Sequence, residues 1–342
     1  MIALLLLAGA LSMPAQSSGM VAEQDSVGER MLLYQRNNGG WPQPGGDPIK
    51  YQLSLTPIQK KKLLSEKDRL DTTIDDDATT REIRGLVEAY QKTKNDAYKT
   101  AAERGIRYLL TAQNAQGGWG QFYPDSSGYH KHITYNDNAM LNVLNVMKYT
   151  AEGAKGFDVL DPALRAPARQ AVDKGIGCIL KTQYVQNGKL TVWCAQHDRN
   201  TLLPAKARAF ELPSLSGAES VGLVRFLMQI PNPSPAIKQS IRAAVAWFEA
   251  VKLPGINTKG IVDASQPKGR DRIVVDDPSS TLWARFYDLE TNKPFFVGRD
   301  SIKRNALADI ENERRVGYGY YGDWPAKLLR VDYPKWEEKW GK

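Results

Sequence analysis

The stretch Ile133-Thr-Tyr135-Asn136-Asp137-Asn138-Ala139-Met140-Leu141-Asn-Val143-Leu144-Asn-Val146-Met147 decides how the chain folds. Apolar side chains at 140, 141, 143, 144, 146 and 147 surround a helix on nearly every side, a pattern tolerated only where other helices enclose it. The helix that follows, from about Arg165 to Gln183, is more amphipathic, so the pair reads as a hairpin whose inner member comes first. The same order occurs on both sides. Upstream, Ile83, Leu86, Val87 and Tyr90 are followed by Ala102, Ile106, Leu109, Leu110 and Gln113 at helical spacing. Downstream, Ser216-Gly-Ala-Glu219 has capping-box spacing, the helix runs through Val221 to Met228, Pro231-Asn-Pro233 breaks it, and Ile237 to Val251 returns.

The connections repeat as well. Asn37-Asn-Gly-Gly-Trp41, Gln116-Gly-Gly-Trp119 and Asn187-Gly188 leading to Trp193 put an amide, a glycine turn and a tryptophan 78 and then 74 residues apart. Three helical hairpins with decorated ends predict an all-α fold, an (α/α)3 toroid or barrel with short β segments in its loops. No low-complexity linker interrupts it, so a single domain is expected over residues 22–342. Strandlike pieces such as Gly188 to Cys194 and Ile273 to Val275 are expected to form only small sheets.

Composition narrows the class. The 342 residues are 42% hydrophobic and 25% charged, the profile of a globular chain, and two cysteines cannot supply a disulfide scaffold. Cys178 lies in an apolar helical stretch and reads as a buried free thiol, not one half of a bridge to Cys194. A net charge of +8, spread over this length, lacks the concentrated stripe of a nucleic-acid binder but favours an anionic partner. Residues 1–20 carry no charged side chain, and Ile2 to Leu11 has the length of an export signal's apolar segment. A secreted or periplasmic, monomeric protein with no membrane span is expected.

A polar motif precedes each inner helix. These are Thr73-Ile-Asp75-Asp76-Asp77, then Tyr135-Asn136-Asp137-Asn138, then Lys206-Ala-Arg208-Ala-Phe-Glu211. Parallel inner helices would bring the three starts to one rim. A single Asp or Asn there is an ordinary N-cap, stabilising by about 1 kcal/mol. Three adjacent aspartates exceed what a cap requires and repel one another, so a cation site is the competing reading. Its oxygen donors, with no Cys or spaced His nearby, suit calcium or magnesium. His130, His132 and His197 lack ligand spacing and read as surface or supporting residues. Arg208, Arg285 and Arg299 read by default as structural ion pairs or stacked groups, yet around a cation site they are what a carboxylated substrate needs. Exposed Trp and Tyr side chains would serve as platforms for sugar faces.

These motifs, with Ala207-Arg208-Ala-Phe-Glu-Leu-Pro-Ser-Leu-Ser-Gly-Ala-Glu-Ser220 and Trp283-Ala-Arg285-Phe-Tyr-Asp-Leu, closely resemble the pectate lyases of polysaccharide lyase family ten over roughly residues 27–335. The resemblance implies an (α/α)3 toroid and calcium-dependent β-elimination of polygalacturonate with an arginine as Brønsted base. Carried over by motif, Asp75, Asp76 and Asp137 match the metal positions and Arg208 the base. Arg285 and Arg299 match arginines that hold uronate carboxylates. Lys206 is expected beside them, as a substrate contact and as a cation that, with calcium and Arg285, depresses the pKa of the base. Some relatives have an amide where this chain has Asp76. Two alternatives stand beside this reading. The Gln-Gly-Gly-Trp turns also occur in triterpene cyclases, and a toroid groove could bind acidic polysaccharide without chemistry.

Overall fold

A computed structural model of the chain describes residues 24–125 and 127–341; the segment read as an export signal lies outside them. The α-helices in chain order are α1 (Ser26–Tyr34), α2 (Pro57–Ser65), α3 (Thr80–Thr93), α4 (Asp96–Ala112), α5 (Ala139–Glu152), α6 (Arg165–Thr182), α7 (Glu219–Met228), α8 (Pro235–Ala250), α9 (Asn312–Gly317) and α10 (Tyr333–Trp340). They pair as α3 with α4, α5 with α6 and α7 with α8, while α3, α5 and α7 pack side by side inside, which is the expected α/α toroid. The six apolar residues that enclose α5 in the sequence are buried: Met140, Val143, Leu144, Val146 and Met147 completely and Leu141 nearly so. Each such side chain adds about 1.5–3 kcal/mol of burial. No helix of the described residues is long and apolar enough to cross a membrane.

The repeated connections fasten each unit to the next. Gln35, Gln113 and Gln183 each follow an outer helix, and each side-chain amide donates twice. One bond closes its own loop (Gly39, Gly117 or Thr191 carbonyl, 2.8–2.9 Å) and one reaches the next outer helix (Ala101, Ala171 or Ser240 carbonyl, 2.8–3.0 Å). The glycines are required by this closeness. Gly39 and Gly117 have φ of 98° and 90°, and a Cβ would lie 2.5 Å from the Arg104 carbonyl oxygen and 2.3 Å from that of Lys174. The indoles of Trp41, Trp119 and Trp193 donate to the carbonyls of Met31, Leu109 and Ile179 in the preceding outer helices, at 2.7–2.8 Å.

Trp283 makes the same bond, to Phe248 of α8 at 2.8 Å, and is a fourth copy of the device. Between α8 and Trp283 the loop has grown into a long antiparallel hairpin, Leu253–Val262 against Arg270–Ala284. Ile273 to Val275 therefore belongs to a 15-residue strand, not to a short isolated piece. The hairpin escapes sequence reading because both faces are largely exposed, Val262 by 93%, so apolar and polar residues do not alternate. It is tied back to α9 by Arg315, whose guanidinium bonds Asp271 at 2.7 Å through both Nε and Nη2. At the C-terminus, Arg225 and Arg242 hold Asp332 and Glu337 at 2.9 and 2.6 Å, docking α10 and the turn before it on α7 and α8.

Candidate active site

Inner helices α3 and α5 start without a side-chain cap, and α7 has none from the residue directly before it. Outer helices α4 and α8 do have one, from Asn95 and Ser234. The acidic runs are thus not serving as caps. Each forms a short 3₁₀ turn passing through left-handed backbone, with φ of 43° at Asp76, 67° at Asp77, 49° at Asp137 and 60° at Asn138. Non-glycine residues held there cost about 1 kcal/mol or more each, and such strain gathers at functional sites. The two turns touch, and one carboxylate oxygen from each of Asp75, Asp76 and Asp137 lies within 4.8 Å of the others.

At the third start, Ser216 Oγ accepts from the backbone N–H of Ala218 and Glu219, as a capping box would. The Glu219 carboxylate does not complete the box. It accepts from the Ser216 hydroxyl and from Arg285 Nη1 instead, so the helix begins at Glu219 and the carboxylate becomes part of the site wall.

Burial, then repulsion from Asp76, pushes the Asp75 carboxyl up, and burial, then Glu219, does the same to Asp137. Among the described residues no Lys or Arg lies within ion-pair distance of Asp75, Asp76 or Asp137. Their neighbours are amides: Gln43 donates to Asp76 at 2.8 Å and Asn136 to Asp137 at 2.5 Å. A compact set of oxygen donors, unpaired with any cation and with the charge of Asp75 and Asp137 disfavoured, fits a hard divalent cation, and with no sulfur or nitrogen donor it fits calcium better than zinc.

The cationic side of the site stands on one aromatic floor. Arg208, Arg314 and Arg299 lie 4.9, 4.6 and 5.9 Å from the centre of the buried Phe210 ring. A turn closed by Glu211 N–H on the Arg208 carbonyl (2.9 Å) brings the two side chains together, and Glu211 accepts from Arg208 Nε at 2.8 Å and Nη2 at 2.5 Å. Arg208 keeps 44% of its side chain exposed and lies close enough to Asp75 to lower that acid. Glu313 holds Arg299 at 3.0 Å and Arg314 at 2.8 Å, and these two guanidinia pull its carboxyl down to about 2. Arg285 is bound by Glu219 and by the Gly319 carbonyl (2.8 Å), its plane near Tyr318 and Trp324.

Asp75, Asp76 and Asp137 are therefore gathered together, with Arg208 and Arg285 on the same side. Among the described residues Lys206 forms no ion pair with these carboxylates and donates to Ser301 at 3.1 Å. The expectation that neighbouring cations lower the Arg208 pKa does not match this ground state. Its bidentate bond to Glu211 raises the guanidinium pKa, against a smaller opposing effect of burial. The aromatics of the Trp283 to Tyr287 and Phe295 segments are core, as aromatics at helical spacing usually are. His197 is fully buried between the Cys194 N–H and the Leu202 carbonyl, not at the surface. Both cysteines are free and buried. Glu313, Arg314 and Tyr318 were not singled out from sequence, and Glu211 was read only as the end of the motif around Arg208. The i, i+3 spacing of Arg208 and Glu211 is the one local signal for any of them.

The family model described as pectic acid lyase matches residues 35–329. The fold is similar to that of the family 10 polysaccharide lyase from Cellvibrio cellulosa, with 37% identity over 92% of each chain and a TM-score of 0.79. It is similar also to a mutant of that lyase solved in complex with trigalacturonic acid, with 36% identity over 93% of each chain and the same TM-score. No curated protein matches the chain. A family match over most of the sequence, on a toroid whose acidic and arginine-rich turns share one rim, means that the chain belongs to the pectic acid lyases, the polysaccharide lyases of family 10.

Proposed function

We propose that the protein is a pectate lyase that cleaves α-1,4-linked polygalacturonate by calcium-dependent β-elimination, with Arg208 taking the proton alpha to the uronate carboxylate. The observation that carries this is the meeting of two strained acidic turns beside an arginine cluster. Asp75, Asp76 and Asp137 would hold calcium, which when bound neutralises a uronate carboxylate and so acidifies its neighbouring C–H. Asp76 in place of the amide of some relatives adds negative charge to the set. Arg285 is fixed by Glu219 and Gly319, so its remaining N–H groups present a pre-oriented fork to a substrate carboxylate. Arg299 extends the same positive wall, Arg314 beside it, and Lys206 stands at its edge. Developing enolate-like charge is stabilised by these fixed cations, and the C4–oxygen bond then breaks to expel the sugar.

Arg208 must turn a nitrogen away from Glu211 and lose a proton from it before it can act as base. Its exposed edge allows the first, and the high pKa that Glu211 imposes makes the neutral form scarce below strongly alkaline pH. An alkaline optimum follows. Export of a monomeric enzyme to meet its polymer substrate is part of the same proposal, from the uncharged apolar leader. Incubation with polygalacturonate and calcium should generate the ultraviolet absorbance of an unsaturated uronate, abolished by chelator and by Arg208→Ala with the fold intact. No absorbance across neutral and alkaline pH would end the reading.

A further inference from the structure

Beside the acidic turns lies a cavity of about 680 Å³ between α1, the 47–52 loop and α3. Two links join it to the site. Gln43, just ahead of that loop, donates to Asp76 at 2.8 Å, and Arg84 on the cavity wall faces Asp77 at 3.7 Å. The cavity is of ordinary ligand-site size. None of the pairings that hold the catalytic arginines reaches it.

Its lining has an uncommon balance. Lys50 forms no ion pair among the described residues, and Arg84 has only the long contact to Asp77. Asp47 and Glu88 are carboxylates that also form no ion pair among the described residues, so hydrogen-bond acceptors face the same space as the cations. Tyr51, 3% exposed, contributes a ring and a hydroxyl which, buried beside Glu82, finds no well-formed hydrogen bond. Arg81 is taken up by Glu82 at 2.6 Å and by the Tyr51 ring, leaving Lys50 and Arg84 as the available charges.

Carboxylates on the wall oppose a dense anion such as phosphate, and cations oppose a metal ion. A hexuronate satisfies both sets. Its carboxylate meets Lys50 and Arg84, its ring hydroxyls donate to Asp47 and Glu88, and its apolar face meets Pro48 and Ile49. We propose that this cavity is a distal subsite for a further uronate unit of the polymer whose scissile unit lies at Asp75, Asp76 and Asp137. The inference rests on the proposed function, since it takes the same substrate. It adds affinity for long chains by multivalent contact along one strand.

The test compares kcat/KM for oligogalacturonates of three and seven units with the full chain and calcium. The wild type should favour the heptamer by about tenfold, the value of one added charged contact. Lys50→Glu, at an exposed loop position, should reduce that advantage to about twofold while leaving trimer cleavage unchanged. Glu88→Gln should weaken heptamer KM alone. An equal change at both lengths, or none, overturns the subsite. If the wild type cleaves neither oligomer, the lyase reading has failed by itself. Calorimetric binding then decides the subsite: heptamer affinity lost in Lys50→Glu with trimer affinity kept supports it, and unchanged heptamer affinity overturns it.

Discussion

Replacing Glu211 by Gln separates two ways in which Arg208 could act. Glu211 accepts from Arg208 Nε at 2.8 Å, from Nη2 at 2.5 Å and from the backbone N–H at 3.2 Å, with Tyr318 Oη adding a fourth bond at 3.2 Å. Hydrogen bonds to charged groups contribute about 1.5–3 kcal/mol each when well sheltered. With 44% of the Arg208 side chain in solvent, the pair as a whole is worth about 2 kcal/mol. At about 1.4 kcal/mol per pKa unit, losing the carboxylate lowers the guanidinium pKa by roughly 1–1.5 units. If neutral Arg208 removes the proton, the rising limb of log kcat/KM against pH moves toward acid by that amount. At a fixed pH below the limb the neutral fraction then grows by roughly tenfold or more, part of which is returned because the base is weaker. Initial rates of ultraviolet absorbance on polygalacturonate, from pH 7 to 11 at saturating calcium, measure this directly. A limb that does not move, with kcat reduced and the fold unchanged by circular dichroism, would refute proton removal by Arg208 and leave it as a fixed cation.

Calcium should raise the melting temperature at neutral pH by about 3–6 °C at 100 times its dissociation constant, and Asp137→Asn should remove the shift. Because Asp75 and Asp137 have raised pKa values, their charge costs stability above the ordinary aspartate value of 3.8, and protons compete with calcium as pH falls toward it. The calcium shift should therefore shrink in acid, which a pH series of melting curves checks. Burial lowers His197 from 6.5 to about 4, so its contribution is fully present above pH 6.5 and is lost as pH falls toward 4, by about 3 kcal/mol. Urea unfolding over that window should show a steeper loss of stability toward acid in the wild type than in His197→Gln. Gly117→Ala, with φ of 90° and a carbonyl oxygen 2.3 Å from the new Cβ, should cost more than about 2 kcal/mol. Gly188→Ala, with φ of 75° and open space around it, should cost only about 1 kcal/mol in the same denaturant titration.

The helical hairpins were legible because an enclosed helix such as α5 has no room for polar side chains, and that leaves a mark in composition at 3.6-residue spacing. The long hairpin was not legible, because a two-stranded ribbon exposed on both faces leaves no alternation to read. Trp283 shows the cost of a grown loop. Trp41 and Trp119 bond a carbonyl ten residues back, Trp193 one 14 back and Trp283 one 35 back, so the last copy lost its spacing while keeping its bond. Charges followed a similar rule. Glu313 and Arg314 matter through Phe210, a hundred residues away, and nothing local in their segment points there.

The acidic turns were legible only as an excess. Either a cap or a cation site could begin with Asp before a helix, and composition alone favoured the second by counting carboxylates. The backbone separates them on different grounds. A capping residue sits in extended conformation and turns its oxygen onto the helix, as Asn95 and Ser234 do, at no conformational cost. Asp76, Asp77, Asp137 and Asn138 instead occupy left-handed conformations and leave the helix starts uncapped, while Asp75, Asp76 and Asp137 aim three like charges at one another. Each of these choices destabilises the folded chain when it stands alone. A bound divalent cation reverses the electrostatic part of that cost, and the remaining strain holds the oxygens apart from their own helices so that they stay available to it.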